Sequence, residues 1–263
     1  MSNKYLSRSD APFGDELWEM IDQTMKSSAT PQLGGRRILD LKGPFGFGLK
    51  TIPLGETQIE EGVTLPGVLP LIHLYREFSI NIRDVASFER DPVALDLRPV
   101  AEAAMWCARK EDDLLFNGTS SIPGLLKMKG PGRMKLSSWD ETGSAASDVI
   151  NGITQLDAGG FHGPYVLALS PARFNLLYRR YPQGPMTEME HIQSMATKGV
   201  VKIPSLKSGG ILLSEGSHFA SIVLGQDMTV GFVGPADGKI DLSISESLAL
   251  QVMVPQSILI LEG

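Results

Sequence analysis

Residues 48–77 read GLKTIPLGETQIEEGVTLPGVLPLIHLYRE, and the breaks in this stretch decide what the rest of the chain can be. Strand-like pieces at Lys50–Pro53, Thr57–Glu60 and Val68–Tyr75 are interrupted by Pro53, Gly55, Gly62, Pro66, Gly67 and Pro70. Proline cannot donate to a β-ladder and glycine weakens a strand interior, so the segment is a poor wall for a compact core. A projecting two-stranded arm is the better expectation. An isolated hairpin is marginal in water, so such an arm requires a neighbouring copy to rest on.

On the N-terminal side, Phe13, Leu17, Ile21 and Met25 recur every fourth position and predict a helix from Pro12 to about Ser28. Asp10 is its expected cap, and Asp15 and Glu16 favour the positive end of the dipole. Residues 38–41 form a short apolar strand before the punctuated run Gly43-Pro44-Phe45-Gly46-Phe47-Gly48. On the C-terminal side, Phe78-Ser79-Ile80-Asn81-Ile82-Arg83 alternates as a strand, and a long helix runs from Pro99 to about Asn117, stopping at Gly118. Composition shifts near residue 130. Beyond it come a helix at 145–157, a strand at 165–169, a helix from Pro171, and the turn-rich loop 181–190 leading into another helix. Strands are then expected at 210–214, 220–224, 228–233, 239–245, 248–254 and 258–261. The class is α+β.

The 263 residues carry 24 Lys and Arg against 30 Asp and Glu. That acidic balance argues against a nucleic-acid partner, because phosphate binding needs surplus cations. No window approaches the apolar length of a membrane span. The polar opening residues lack a signal peptide's apolar region, and one cysteine, Cys107, suits a reducing compartment. A cytoplasmic protein is expected.

Chemistry is hard to find. His73, His162, His191 and His218 are widely separated and form no metal signature. There is no G-x-S-x-G elbow and no phosphate loop. Cys107 sits mid-helix among small residues, as a structural thiol does. Glu111-Asp112-Asp113 is a poor catalytic set, since adjacent helical residues point about 100° apart and three in a row rarely converge on one substrate. No catalytic residue, cofactor or metal is expected.

Several tags carry a resemblance. Leu6-Ser7-Arg8, Ala11-Pro12, Trp18 and Ile21-Asp22 open the chain; Gly35 to Gly46 is similar to a G-R-K-F-V-D-V-x-G-P-x-G run; Pro70-Leu71-Ile72, Gly163-Pro164-Tyr165, Leu224 to Gly231 and Glu246 to Val252 follow in order. Together they resemble the classical encapsulin shell proteins, the linocin-type family, over nearly the whole length. The resemblance implies an HK97-like capsid fold: an N-terminal helix and the start of a peripheral domain in 1–47, an extended arm in 48–77, and peripheral domain with the long helix in 78–129. An axial domain in 130–224 and C-terminal peripheral strands in 225–263 complete it. It also implies a non-enzymatic shell component that self-assembles into an icosahedral cage. The cargo it implies is a protein bearing a C-terminal targeting peptide, such as a ferritin-like iron oxidase or a dye-decolourising peroxidase. A phage major capsid protein packaging DNA is the nearest alternative.

By the matching motifs, the resemblance places the cargo-peptide pocket at Met25, Ala29, Leu33, Arg36, Asp40 and Val230. Ser28 and Ala29 replace bulky apolar residues of relatives, so a shallower or relocated pocket and an altered targeting peptide are expected. The loop 181–190 matches a pore-lining segment, with Glu188, Glu190 and His191 as its candidate ring of charge. Some relatives stack a flavin on a tryptophan; here Arg83 stands at that position and Tyr75 at its basic partner, so no flavin is expected.

Overall fold

The computed structural model describes residues 4–91 and 95–263. Its elements are α1 (Asp15–Ala29), β1 (Asp40–Lys42), β2 (Thr51–Glu60), β3 (Val63–Pro70), β4 (Ile72–Asn81), α2 (Ile82–Arg90) and α3 (Arg98–Asn117). They continue with β5 (Gly132–Lys135), α4 (Ser144–Ala158), β6 (Tyr165–Leu169), α5 (Pro171–Leu176), α6 (Glu188–Met195), β7 (Gly199–Lys202) and β8 (Gly210–Ser214). Last come β9 (Ala220–Ala236), β10 (Lys239–Val252) and β11 (Ile258–Glu262). The chain divides into two compact units: Met1–Leu33, Lys42–Glu111 and Val223–Ala249 form one, and Gly34–Leu41, Asp112–Ile222 and Leu250–Gly263 the other.

In the first unit, α1 buries Leu17, Trp18, Ile21, Met25 and Ala29 in one cluster with Val100, Ala103, Ala104, Cys107 and Ala108 of α3. Ile80, Met228, Val230, Ile240, Leu242 and Ile244 complete that core from the strands. Small residues on α3 let it approach closely. α1 begins at Asp15, later than expected, with no side-chain cap from Gly14; Asp10 instead closes a short turn at Arg8–Asp10. β4 pairs antiparallel with β10 from Ile72↔Leu248 to Asn81↔Lys239. The expected strand 78–83 therefore ends at Asn81, whose side chain accepts from the Arg83 N–H and caps α2, a helix the alternation of Ile80 and Ile82 had concealed.

Strand pieces expected as separate, 220–224 and 228–233, are continuous in β9. Gln226 does not interrupt them because its amide donates to the Ser245 carbonyl and hydroxyl, while its N–H donates to the Ser247 hydroxyl. Polar residues in a buried strand are tolerated when so satisfied. The glycine run after β1 is pinned here too. Gly43 has φ +109°, and its missing Cβ leaves room for the Leu224 carbonyl; Phe45 and Gly46 donate their N–H groups to Leu224 and Gly225. Only glycine adopts that backbone so close to another strand without strain.

The second unit holds a five-stranded sheet in the order β5-β11-β8-β6-β7. β6 and β8 are buried along their whole length, the mark of a strand covered on both faces. Trp139, Val149, Leu156, Leu167, Leu169, Met189, Ile192, Leu212, Leu259 and Leu261 share its core. The stretch 225–263, expected to stay together, is divided: β11 pairs with Leu213 to Gly210 of β8 and runs parallel to β5. Asp112 begins the second segment of this unit. Its carboxylate accepts the N–H groups of Gly34 and Gly35 at 3.0 and 2.8 Å, so the acidic triplet of α3 includes a buried structural clamp.

Candidate assembly and docking surfaces

The arm is shorter than 48–77. β2 and β3 form a two-stranded sheet of their own, in register from Thr51↔Pro70 to Glu60↔Val63, with shifts at Pro53/Glu56 and Gln58/Glu60. The Leu71 N–H donates to the Lys50 carbonyl and closes its base. Residues 72–77, which the resemblance assigned to the arm, belong to β4 and its pairing with β10. On the arm itself Leu54, Ile59, Val63, Leu65 and Val68 are exposed. Each such side chain gains about 1.5–3 kcal/mol on full burial. Two polar edges and five bare apolar side chains within 20 residues form an unfinished surface.

Loop 181–190 is built differently from the expectation of free acids. Glu188 is fully buried: its carboxylate binds Arg179 at 2.9 Å and accepts the Gly143 N–H at 2.7 Å, while Arg179 also donates to the Trp139 carbonyl. Glu190 is exposed but closes a capping box with Thr187 at the start of α6, and hydrogen bonding to Thr187 holds its carboxyl below the usual range. The His191 ring meets the Tyr181 hydroxyl at 2.8 Å. The structure brings the three together as the lock of the loop. Its tip, Pro182 to Met186, is exposed and carries no charge.

Of the six candidate pocket residues, Met25, Ala29 and Val230 are buried in the first unit's core and Leu33 packs against that cluster. Arg36 and Asp40 lie in the second unit. Tyr75 is exposed on β4 with its hydroxyl on the Glu77 carboxylate, and Arg83 stands in the first turn of α2. Cys107 is fully buried, and desolvation, reinforced by nearby Glu246, pushes its thiol up to about 12. Among the described residues no three His, Cys, Asp or Glu side chains group as metal ligands, and no helix is long and apolar enough to cross a membrane.

Missed by sequence reasoning was a cavity of about 1070 Å³ beside the N-terminal half of α1, in the first unit. It is lined by Tyr5, Trp18 and Phe47, by Asp15, Glu19 and Asp227, and by Arg8 bound to Asp22. Pro44, Gly46 and Gly48 of the glycine run that Gly43 pins to β9 also line it.

The Linocin_M18 family model, described as encapsulating protein for peroxidase, matches residues 3–249. The chain belongs to this encapsulin family. It is 28% identical to a type 1 encapsulin shell protein of Myxococcus xanthus, over 98% of this chain and 96% of that one. In structure it is similar to a virus-like particle protein from Pyrococcus furiosus, with a TM-score of 0.79 and 20% identity over 94% of this chain and all of the other. The capsid of the myovirus XM1 also matches, with a TM-score of 0.64 and 15% identity over 89% and 92% of the two chains. The fold of this encapsulin-family chain is therefore the HK97-like capsid fold, an α+β architecture with an extended arm.

Proposed function

We propose that the chain is the shell subunit of an encapsulin nanocompartment: copies associate into a closed icosahedral cage around cargo protein, and the chain itself performs no reaction. The observation that carries this is the β2–β3 arm, which leaves five large apolar side chains exposed and, among the described residues, is paired only with itself. Closed symmetry repeats one such contact until no copy is left with an open surface. The family description supports a peroxidase as cargo; a ferritin-like iron oxidase is the other candidate, carried by the same kind of C-terminal peptide. The site of action is the cytoplasm.

Negative-stain microscopy and light scattering of the purified chain test the proposal. Hollow particles of uniform diameter are expected, and Leu65→Asp with Val68→Asp should leave a folded, unassembled chain. A wild-type chain that stays a single subunit at high concentration overturns it. A DNA-packaging capsid, favoured by the likeness to a phage capsid, predicts particles whose absorbance is dominated by nucleic acid at 260 nm. The formal charge of −6 opposes that outcome.

A further inference from the structure

Two cations stand together in the second unit with no acid on either. Arg37 donates through Nη2 to the backbone carbonyl of Lys202 at 3.0 Å, which fixes its guanidinium beside the end of β7. Among the described residues neither Arg37 nor Lys202 has a carboxylate partner. Elsewhere in this unit Arg133, Arg179 and Lys198 are each paired, with Glu262, Glu188 and Glu215. Asp40, the acid on the same segment as Arg37, acts on Lys198. Like charges repel, so a bare pair of this kind works against the stability of the lone subunit.

The turn that carries Arg37 is held in place. Asp112 accepts the N–H groups of Gly34 and Gly35, and Gly34 has no room for a side chain: a Cβ there would stand 2.6 Å from Cδ1 of Ile203, the neighbour of Lys202. Beside the cations lies an aromatic step. The Lys202 ammonium is 4.9 Å from the centre of the Phe174 ring, and that ring meets Tyr178 with centroids 5.9 Å apart and planes at 72°. Tyr178 is 63% exposed. A bare ring therefore stands one side chain away from two unneutralised charges.

We propose that this patch binds a nucleoside diphosphate, with Arg37 and Lys202 on the phosphates and the base stacked on Tyr178. A guanidinium meets phosphate oxygens two at a time, and an ammonium adds a point charge. Every base offers a π-face to an aromatic side chain. Inorganic phosphate or an acidic peptide supplies the charge without the flat ring. The arm of a second copy has acids at Glu56, Glu60 and Glu61, but its exposed apolar side chains are aliphatic. The chain's overall surplus of acid opposes a long phosphate strand more than a small anion at two local cations. The site does not depend on the cage proposal.

Calorimetric titration of the full chain with ADP, pyrophosphate and adenosine separates the two contributions. ADP is expected to bind at least about fivefold more tightly than pyrophosphate, which lacks the base, and than adenosine, which lacks the charge. Tyr178→Ala should bring ADP down to the level of pyrophosphate and leave pyrophosphate unchanged. Arg37→Ala with Lys202→Ala should abolish binding of both. No binding of ADP, equal affinity for ADP and pyrophosphate, or a Tyr178→Ala loss that is the same for both ligands overturns the proposal. So does a single-stranded oligonucleotide that binds more tightly per nucleotide than ADP, which would assign the patch to nucleic acid, or a particle map in which another copy covers Tyr178. Light scattering reads the assembly state of each sample. Failure of the wild type to assemble would sink the cage proposal alone, since the ADP titration is read on the chain in either state.

Discussion

The arm and the five-stranded sheet use the same apolar residue types and reach opposite ends. β8, Gly-Ile-Leu-Leu-Ser, is paired on both edges and buried at every position; β3, Val-Thr-Leu-Pro-Gly-Val-Leu-Pro, is paired on one edge and nearly all exposed. Composition does not separate them. What differs is partners: α4 and two neighbouring strands cover Leu212, whereas among the described residues Leu65 has no such cover. Stability of the sheet is a property of one subunit, and on the proposed function stability of the arm is a property of the assembly.

The largest effect that sharpens this contrast lies in the second unit, at the buried ion pair. Arg179→Met strands the Glu188 carboxylate, which is 0% exposed, and should cost about 3–5 kcal/mol. Denaturant unfolding of the unassembled chain would show it, and replacing both residues with apolar ones should recover much of the loss. An acidic pore ring built on Glu188 predicts the reverse: little change in stability and a marked change in cation passage. Next comes the direct comparison. Leu212→Ala, at a wholly buried position, should destabilise the subunit by about 2–5 kcal/mol. Leu65→Ala, at a position 57% exposed, should stay within about 0.5 kcal/mol in the unassembled chain while lowering particle yield. Equal costs at the two sites would break the distinction between subunit and assembly stability. Smaller than the Leu212 cost is that of Thr187→Ala, which removes the N-terminal cap of α6 for about 1 kcal/mol.

Much of the frame was legible because its signals are local. The prolines and glycines of 48–77 announced an arm; the spacing of Leu17, Ile21 and Met25 gave the buried stripe of α1. The misreadings have long-range or competing causes. β11 belongs to the second unit because it pairs with a strand some 45 residues away, which no periodicity reports. The arm's end was overrun because Ile72 and Leu74 are as apolar as Leu69, and only the pairing with β10 marks the change. Glu188 was grouped with Glu190 and His191 as pore-lining charge, yet Arg179, nine residues earlier, neutralises it in the interior. Thr187-x-x-Glu190 was a readable capping box and would have separated the two glutamates. The cavity was illegible because it needs the turn at Gly43 to bring Phe47 beside Tyr5, 42 positions away.

The least of the expected effects concerns acid. Asp157 accepts the Tyr165 hydroxyl at 2.5 Å and meets His162 Nδ1 at 3.1 Å, fastening the end of α4 to the start of β6 in the second unit. The Tyr165 hydrogen bond, with a lesser contribution from His162, holds its carboxyl below the ordinary 3.8. A depressed carboxylate contributes stability that is present above the unfolded value and is lost as pH falls through the folded one. The difference in melting temperature between wild type and Asp157→Asn should therefore be largest near neutrality and shrink as the pH falls below the ordinary carboxylate value. Being exposed, the group should move the melting curve only slightly. A difference that grows on acidification would reverse the sign of the linkage and leave Tyr165 and His162 without the stabilising role assigned to them. Because the contact is internal to the sheet unit, the same difference should appear in assembled particles and in chains whose arm has been disabled by Leu65→Asp and Val68→Asp.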